Sequence, residues 1–268
     1  MNNEIAPKNL LKRREFLEFC LKALPTGLLF AVAGSVEGSA ELKKDAPAVG
    51  ANGKDKKPLR EFGMAIDIRK CIGCGRCADA CKTENNVPRT PPVCFRTWVE
   101  RYTVMAEGEP KVDSPNGGID GFPDIPESST AIKSFFVPKI CNHCAKPPCV
   151  QVCPVGATFR SPEGVVLVDQ TYCVGCRYCI QACPYGARYF HPEKSVADKC
   201  TFCFHRIKKG LFPACVEVCP TQARVFGELG SHSSLIWRFI RANATTVLKP
   251  ELNTKPNVFY AGAPGEVR

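Results

Sequence analysis

The stretch Cys173-Val174-Gly175-Cys176-Arg177-Tyr178-Cys179-Ile180-Gln181-Ala182-Cys183-Pro184 decides the fold of this chain. Three of its cysteines recur every third residue, and a fourth follows four residues later, directly before a proline. This spacing lets three thiolates of one loop converge on a single group, and the glycine allows the backbone to approach that group closely. The longer last interval carries the chain into a short helix, which the proline ends because its ring fixes φ and lacks an N–H.

Three other stretches repeat this pattern with small changes. The first lacks only the terminal proline, where Lys82 stands, and the second and fourth widen the gap before their third cysteine. In chain order the four runs are Cys71, Cys74, Cys77 and Cys81; Cys141, Cys144, Cys149 and Cys153; Cys173, Cys176, Cys179 and Cys183; and Cys200, Cys203, Cys215 and Cys219. They contain 16 of the 18 cysteines and leave only Cys20 and Cys94 outside.

The composition places these runs in a globular, loop-rich protein. Cysteine makes up about 7% of the 268 residues, which is more than an ordinary domain has and less than a small disulfide scaffold has. Hydrophobic residues make up 44% and charged residues 23%, which excludes a disordered chain and a polytopic membrane protein. The 21 glycines and 23 prolines indicate a loop-rich fold wrapped around a bound group.

The runs predict four [4Fe–4S] clusters. A C-x₂-C-x₂-C-x₃-C run that ends in proline binds clusters in bacterial ferredoxins, where the fourth cysteine ligates the neighbouring cluster. Structural zinc sites instead use two separated pairs of ligands around one tetrahedral ion. Four runs in order, three of them ending in Cys-Pro, favour iron–sulfur clusters, with zinc and a disulfide framework as the alternatives.

The first 40 residues have the pattern of an export signal. Arg13 and Arg14 stand shortly before an apolar stretch from Ala23 to Val36, and Gly38-Ser39-Ala40 offers a small-x-small cleavage site. This pattern resembles a twin-arginine signal, which directs the export of proteins that have already folded. An amphipathic surface helix and a membrane anchor are the alternatives, although 14 residues are fewer than the ~20 of a membrane span. We therefore expect a periplasmic protein that loads its metal before export and loses Cys20 with the signal.

Three strings of sequence carry a family resemblance. They are CNHCAKPPC at Cys141 to Cys149, GCRYC at Gly175 to Cys179, and DKCTFC at Asp198 to Cys203. From about Met64 to Leu229 the chain resembles the four-cluster ferredoxin-type electron-transfer subunits. This family accompanies the dimethyl sulfoxide, polysulfide and tetrathionate reductases, the cytochrome nitrite reductase complex and the sulfite-reduction membrane complex.

The resemblance implies how the cysteines are shared. In that family the runs pair as two ferredoxin-like units, first with fourth and second with third, and each run lends its last cysteine to its partner. The implied ligands are Cys71, Cys74, Cys77 and Cys219 for cluster 1; Cys141, Cys144, Cys149 and Cys183 for cluster 2; Cys173, Cys176, Cys179 and Cys153 for cluster 3; and Cys200, Cys203, Cys215 and Cys81 for cluster 4. Some relatives replace one cysteine and hold a three-iron cluster, but every position is filled here.

The expected fold is α+β, with two bacterial-ferredoxin-like units whose short hairpins and helices surround four cubane clusters. The expected organisation is a signal peptide at 1–40, a linker at 41–58, one ferredoxin-like unit at 59–87 and 192–230, an inserted loop region at 88–137, the other ferredoxin-like unit at 138–191, and a C-terminal helix and tail at 231–268. The inserted region is expected to cover the clusters or to dock a partner.

Local patterns predict the individual elements. Alternating apolar residues and turn residues predict strands at 97–104, 157–160, 165–169 and 187–190. Short helices are expected beside the ligands at 78–83, 180–182 and 216–218. The helical spacing of Leu235, Ile236, Phe239 and Ile240 predicts an amphipathic helix packed on its own domain.

Three residues in or between the runs are expected to have no ligand role. His143 and His205 lie inside runs, but complete sets of four cysteines leave them only hydrogen bonding near a cluster. Cys94 is expected to be a buried spare thiol.

The net charge of +10 does not indicate a nucleic-acid-binding protein. Residues 1–40 contain five Lys or Arg and four Asp or Glu, so their removal leaves a net charge of +9. Each oxidised cubane with its four thiolates carries about −2, so four clusters bring the protein close to neutral. The basic excess therefore compensates the cofactors.

The predicted function is that of an electron-transfer subunit without substrate chemistry of its own. The sequence contains no dinucleotide fingerprint, phosphate loop or nucleophile elbow. The resemblance implies two partners, a multi-span quinone-binding membrane subunit and a catalytic molybdopterin or cytochrome subunit, with membrane association only through a partner. Respiration of sulfur compounds is favoured. The alternatives are a cytochrome-linked complex of the nitrite-reductase or sulfite-reduction type, a self-contained iron–sulfur redox enzyme and a zinc-stabilised interaction module.

Overall fold

The structure is a computed structural model that describes residues 60–126, 130–265 and 267. The predicted signal peptide at 1–40 and the linker at 41–58 lie outside the described residues. Helices and strands alternate along the described chain in a mixed α+β order. This agrees with the fold class that the sequence predicts.

Five of the six α-helices of the described chain lie at cysteine runs. In chain order the helices are α1 Arg76–Asn85, α2 Pro148–Gln151, α3 Tyr178–Gln181, α4 Phe204–Ile207, α5 Ala214–Glu217 and α6 Leu235–Ala242. Helices α1, α3 and α5 overlap the segments predicted at 78–83, 180–182 and 216–218. Helix α6 is the predicted amphipathic helix, and it packs against two strands of its own domain through the buried Ile236.

Proline accounts for the short helices that precede the last cysteines of runs two, three and four. Helices α2, α3 and α5 have four residues each and end two residues before the last cysteine of their runs. The proline after that cysteine cannot continue a helix, because its ring clashes with the carbonyl four residues earlier. Run one has Lys82 in place of proline, and α1 continues for ten residues, through Cys77 and Cys81 to Asn85.

The described strands form one four-stranded, one three-stranded and two two-stranded sheets. In chain order the strands are β1 Phe62–Asp67, β2 Thr97–Met105, β3 Lys111–Asp113, β4 Ala131–Ile140, β5 Thr158–Arg160, β6 Val166–Val168, β7 Arg188–Phe190, β8 Ala197–Lys199, β9 Arg224–Glu228, β10 Thr245–Thr246 and β11 Val258–Ala261. The antiparallel pairs β5–β6 and β7–β8 confirm the hairpins predicted from 157–169 and after 187.

The four-stranded sheet has the order β10-β11-β1-β9. Strand β1 pairs in parallel with β11, Met64 opposite Val258, and antiparallel with β9, Met64 opposite Phe226. Because β1 has neighbours on both sides, it is buried from Gly63 to Asp67. The prediction of a tail after the C-terminal helix is therefore wrong at β11, whose short apolar sequence supplies an inner strand of this sheet.

The region at 88–137, predicted as an inserted loop, contains most of the three-stranded sheet β3-β2-β4. Strand β2 confirms the strand predicted at 97–104, and it pairs with β4 from Thr97 opposite Ile140 to Met105 opposite Ala131. Val99, Tyr102 and Val137 from these strands join the main core. The expectation of a loop is corrected here, because these apolar side chains gain burial only when both strands pair.

Cysteines form a large part of the core. Ten of the described cysteines are buried: Cys77, Cys81, Cys94, Cys141, Cys144, Cys149, Cys179, Cys200, Cys203 and Cys215. Four of them, Cys77, Cys141, Cys200 and Cys215, belong to the same core as Ile66 and Phe226. No helix within the described ranges is long and apolar enough to cross a membrane.

Candidate metal centres

The four cysteines predicted for each cluster are called here the cluster-1 to cluster-4 sets. The cluster-1 set lines one cavity of the structure: Cys71, Cys74, Cys77 and Cys219. Three of them come from run one and the last from run four, and the packing of α1 against α5 brings the two runs together. Burial raises the pKa of Cys71 to about 11.

The cluster-2 set lines a second cavity, which lies where α2 packs against α3. Its members are Cys141, Cys144, Cys149 and Cys183. Burial raises the pKa of Cys144 to about 12, and the nearby sulfurs of the other three members raise it too. Thr254 acts in the opposite direction, because its hydrogen bond stabilises the Cys144 thiolate.

The cluster-4 set joins run four to the helix of run one. The Asn85 amide nitrogen lies 3.5 Å from Cys81 Sγ and 3.6 Å from Cys203 Sγ. Burial raises the pKa of Cys81, and the charges of Cys215 and Cys203 raise it further. Cys200 has its pKa raised by burial and then by Cys81, among other cysteines. The structure thus brings together all four members, which are Cys81, Cys200, Cys203 and Cys215.

Two members of the cluster-3 set pack against the cluster-2 set. Cys173 and Cys179 pack with Cys149 of the cluster-2 set, and Ala197 N–H donates to Cys173 Sγ at 3.5 Å. Cys153 follows α2, and Thr158 N–H donates to its Sγ at 3.4 Å. These contacts do not join Cys153 directly to the other members, which are Cys173, Cys176 and Cys179.

One backbone position is shared by all four runs. The residue before the second cysteine has positive φ in each: 71° at Gly73, 42° at His143, 69° at Gly175 and 52° at Phe202. Residues other than glycine are uncommon in this region of backbone conformation and cost free energy there. Runs one and three have glycine at this position, which the sequence shows directly. The positive φ of His143 and Phe202 at the same position was not predicted.

The two histidines of the runs have different surroundings. His143 is fully buried, and its Nδ1 accepts a hydrogen bond from Val166 N–H at 3.1 Å. Burial lowers the pKa of His143 well below its usual value, so the ring is neutral and carries its proton on Nε2. His205 instead contacts Glu84 at 2.6 Å on the surface. Only His143 is therefore buried beside a cysteine set.

Cys94 is buried and free, as the sequence predicts. Its Sγ donates to the carbonyl of Pro92 at 3.2 Å. Partial burial raises its pKa, which keeps it a neutral thiol. This environment is that of a packed side chain rather than of a ligand.

The buried polar groups fit iron–sulfur clusters. Asn142 lines the cavity of the cluster-2 set, and neither atom of its buried amide has a hydrogen-bond partner among the described residues. The Nε2 of His143 is unpartnered in the same way. Buried donors without a partner are rare, and the sulfur atoms of a cluster accept such hydrogen bonds. None of the 17 described cysteines forms a disulfide, so the 16 cysteines of the four runs are available as ligands for iron.

The described residues contain no group of three His, Cys, Asp or Glu side chains placed to hold a single metal ion. A cubane differs from such an ion because its four thiolates bind four separate iron atoms at its corners. Fold and site together define a ferredoxin-type iron–sulfur protein.

Comparison with known protein families supports this class directly. Residues 70–157 and residues 132–229 each match a family described as a 4Fe-4S dicluster domain. The two matches cover all four cysteine runs, so the protein carries four [4Fe–4S] clusters. It contains two dicluster ferredoxin domains within a mixed α+β fold.

Several curated proteins are similar over most of the chain. A tetrathionate reductase subunit of Salmonella typhimurium is 44% identical over 207 residues, which cover 76% of this chain and 74% of that protein. A putative dimethyl sulfoxide reductase iron-sulfur subunit of Halobacterium salinarum is 38% identical, covering 75% and 79%. The arsenate respiratory reductase iron-sulfur subunit of a Shewanella species is 34% identical, covering 74% and 95%. The chain belongs to this family of ferredoxin-type iron–sulfur electron-transfer subunits.

Proposed function

We propose that this protein is the periplasmic electron-transfer subunit of an anaerobic respiratory reductase. It relays single electrons through its four clusters between a quinone-linked, multi-span membrane subunit and a catalytic molybdopterin subunit. The similarity to subunits of tetrathionate, dimethyl sulfoxide and arsenate reductases supports this proposal. Sulfur compounds are the favoured substrates, because the tetrathionate reductase subunit is 44% identical to this chain.

The proposal assigns each cysteine set to the cluster for which it is named. Sets 1 and 2 each line one cavity, and set 4 is joined through Asn85 and neighbouring charges. Set 3 is completed by Cys153, by analogy with the crossed sharing in the other sets. Each run then supplies three ligands to one cluster and one ligand to its neighbour.

The order in which the cysteine sets adjoin is the observation that carries the proposed relay. Arg224 contacts one sulfur of set 1, Cys77 at 3.4 Å, and one sulfur of set 4, Cys215 at 3.8 Å. His143, next to set 2, stacks on Phe202, next to set 4, with ring centroids 3.7 Å apart. Cys149 of set 2 packs with Cys179 of set 3. The sets therefore follow one another in the order 1, 4, 2, 3, which suits transfer from cluster to cluster.

The two ends of this order reach the surface. Cys74 of set 1 and Cys176 of set 3 are exposed, whereas set 4 is entirely buried. Apolar side chains surround the exposed cysteines: Ile72 is 59% exposed beside Cys74, and Val174 is 64% exposed beside Cys176. The two partners are proposed to dock at these ends, because the exposure of Cys74 and Cys176 brings clusters 1 and 3 within reach of a partner.

Export by the twin-arginine route is part of the proposal. It rests on the arginine pair at Arg13 and Arg14 and on the need to deliver assembled clusters to the periplasm. Membrane association is proposed to occur through the multi-span partner.

Co-purification from the native host tests the proposal. The full-length chain carrying a C-terminal tag is purified anaerobically from gently solubilised membranes and from the periplasmic fraction. We expect a molybdenum-containing protein and a multi-span membrane protein to accompany it, together with about 16 iron atoms per chain. A control strain in which Arg13 and Arg14 are both replaced by Lys is expected to retain the chain in the cytoplasm.

The other outcomes contradict parts of the proposal. If haem proteins and a membrane subunit co-purify with the chain and molybdenum is absent, the protein belongs to a cytochrome-linked complex instead. A chain that turns over a sulfur compound without any partner would instead be a self-contained enzyme. Recovery of the chain only from the cytoplasm would overturn the proposed location.

A further inference from the structure

In runs three and four, the last cysteine is followed by Pro-x₂-Ala-Arg. An arginine therefore lies five residues after that cysteine. These arginines are Arg188, after Cys183, and Arg224, after Cys219. Run two has Thr158 at the same distance from Cys153. All three residues are at or near the first position of a strand, and all three side chains are buried.

Arg224 connects two cysteine sets. Its Nη2 donates to Cys77 Sγ at 3.4 Å and to Thr97 Oγ1 at 2.9 Å, and its Nη1 lies 3.8 Å from Cys215 Sγ. Cys77 belongs to set 1 and Cys215 to set 4. The guanidinium thus touches one sulfur of each set from the strand between them.

Arg224 is 3% exposed, and no carboxylate of the described residues forms an ion pair with it. A buried charge is costly unless it is paired and hydrogen-bonded. Once these thiols are deprotonated to bind iron, the sulfurs of Cys77, Cys215 and Cys71 supply the counter-charge. The arginine is therefore stabilised by the cluster ligands themselves.

Arg188 has the same role in the other pair of runs. Its Nη2 donates to Cys149 Sγ of set 2 at 3.0 Å, and its Nη1 donates to Thr158 Oγ1 at 3.3 Å. Burial acts to lower the pKa of Arg188, and attraction to Cys149, Cys141 and Cys179 outweighs it. Cys149 packs with Cys179 of set 3, so the guanidinium that contacts Cys149 lies where sets 2 and 3 adjoin.

We propose that Arg224 and Arg188 are bridging cations, each of which sets the reduction potentials of the two clusters on either side of it. This inference rests on the proposed function, because it uses the ligand sets assigned there. When the clusters are bound, transfer of one electron oxidises one cluster by one unit and reduces its neighbour by one unit. Arg224 stabilises the more negative, reduced state of clusters 1 and 4, and Arg188 does so for clusters 2 and 3. The positive charge between each pair keeps both members reducible.

Redox titration of the full-length holoprotein, followed by electron paramagnetic resonance, tests this inference. We expect Arg224→Gln to lower two of the four cluster potentials by at least 59 mV, a tenfold change in each one-electron equilibrium. Arg188→Gln is expected to lower the other two, and the double variant all four. Arg224→Lys keeps the charge, so its potentials are expected to stay closer to those of the unsubstituted protein. Each single variant is the matched control for the other.

Three results would overturn the inference: unchanged potentials, an equal shift of all four, or the same two clusters shifting in both variants. If the glutamine variants bind less iron, the unsubstituted protein labelled with ¹⁵N-arginine decides the matter. Its reduced clusters are expected to show nitrogen coupling by pulsed paramagnetic resonance, and absence of coupling would contradict the proposed contacts. A protein without four reducible clusters would contradict the proposed function itself, before any potentials are compared.

Discussion

The imidazole of His143 stacks on the phenyl ring of Phe202, with ring centroids 3.7 Å apart and planes inclined by 24°. His143 belongs to run two and Phe202 to run four, so the contact lies where cysteine sets 2 and 4 adjoin. Both residues have positive φ at the position where the other runs have Gly73 and Gly175. Such backbone costs about 1–3 kcal/mol per residue, so the stacked rings must offset that cost. The contact therefore holds the two halves of the cluster relay together.

Replacing Phe202 tests the importance of this stack. We expect Phe202→Leu to lower the free energy of unfolding by about 2 kcal/mol, because it removes the ring contact and leaves a small cavity. The measurement is anaerobic thermal unfolding of the holoprotein. The matched control is Phe122→Leu, which removes a tilted ring contact with Phe136 at 4.9 Å, away from sets 2 and 4. If Phe202→Leu lowers the free energy of unfolding no more than Phe122→Leu does, the stack on His143 adds no stability beyond that of an ordinary ring contact.

Crossed sharing of cysteines between runs predicts which substitutions resemble one another. We expect Cys219→Ser to alter the same cluster signal as Cys71→Ser, although Cys219 lies in run four, because both line one cavity. Cys81→Ser is likewise expected to match Cys200→Ser. The measurement is paramagnetic resonance of reduced protein together with iron content. If Cys219→Ser matched Cys200→Ser instead, each run would bind its own cluster.

Cys94 provides the control for these cysteine variants. Its Sγ is buried against the carbonyl of Pro92, outside every set. Cys94→Ser is therefore expected to retain about 16 iron atoms per chain and all four signals.

Lys82 anchors the segment that follows α1. Its Nζ donates to the carbonyls of Pro88 at 2.9 Å and Cys94 at 2.7 Å, and it lies 4.1 Å from the centre of the Phe95 ring. Lys82→Met leaves two carbonyls without this donor, so we expect a loss of about 2–4 kcal/mol in stability. Limited proteolysis within residues 88–96 is expected to become faster.

The exposed Lys209 supplies a matched control for this substitution. Lys209→Met removes the same charge from the surface and is expected to change stability by less than about 0.5 kcal/mol. Equal proteolysis rates in the two variants would contradict the anchoring role of Lys82.

Cluster insertion is expected to depend on pH. Burial raises the pKa of Cys71 to about 11 and of Cys144 and Cys215 to about 12 in the chain without clusters. These thiols hold their protons at neutral pH, whereas iron binds the thiolate, so insertion releases protons. Below the pKa, each added pH unit raises the thiolate fraction about tenfold. Anaerobic reconstitution with iron and sulfide is therefore expected to accelerate from about pH 7 to about pH 9.

The recovery of visible absorbance measures this rate. The control is the thiolate fraction of the chain unfolded in urea, measured by the ultraviolet absorbance of thiolates, because its thiols titrate near their ordinary pKa of about 8.5. A reconstitution rate that is independent of pH would contradict the prediction.

Local patterns made much of the fold predictable. The run helices follow from the interval between the last two cysteines, and the hairpin β5–β6 follows from alternation around a turn at 161–164. The inserted sheet was only partly predicted, because β4 pairs with β2 across some 25 intervening residues whose contacts have no local sequence signal. Strand β11 was missed for the same reason, since it pairs with β1 at the opposite end of the described chain.

The sequence by itself determined the cofactor and its number. Ligand type and the intervals within a run are local properties, so four complete runs were enough to predict four [4Fe–4S] clusters, and they indicated the protein class as well. The tertiary structure decided how the runs meet, because that depends on residues far apart in the chain. Arg224 reaches Cys77 across 147 positions, and His143 meets Phe202 between two separate runs. Those contacts form only when packing of helices and strands closes long loops, which spacing along the chain does not encode.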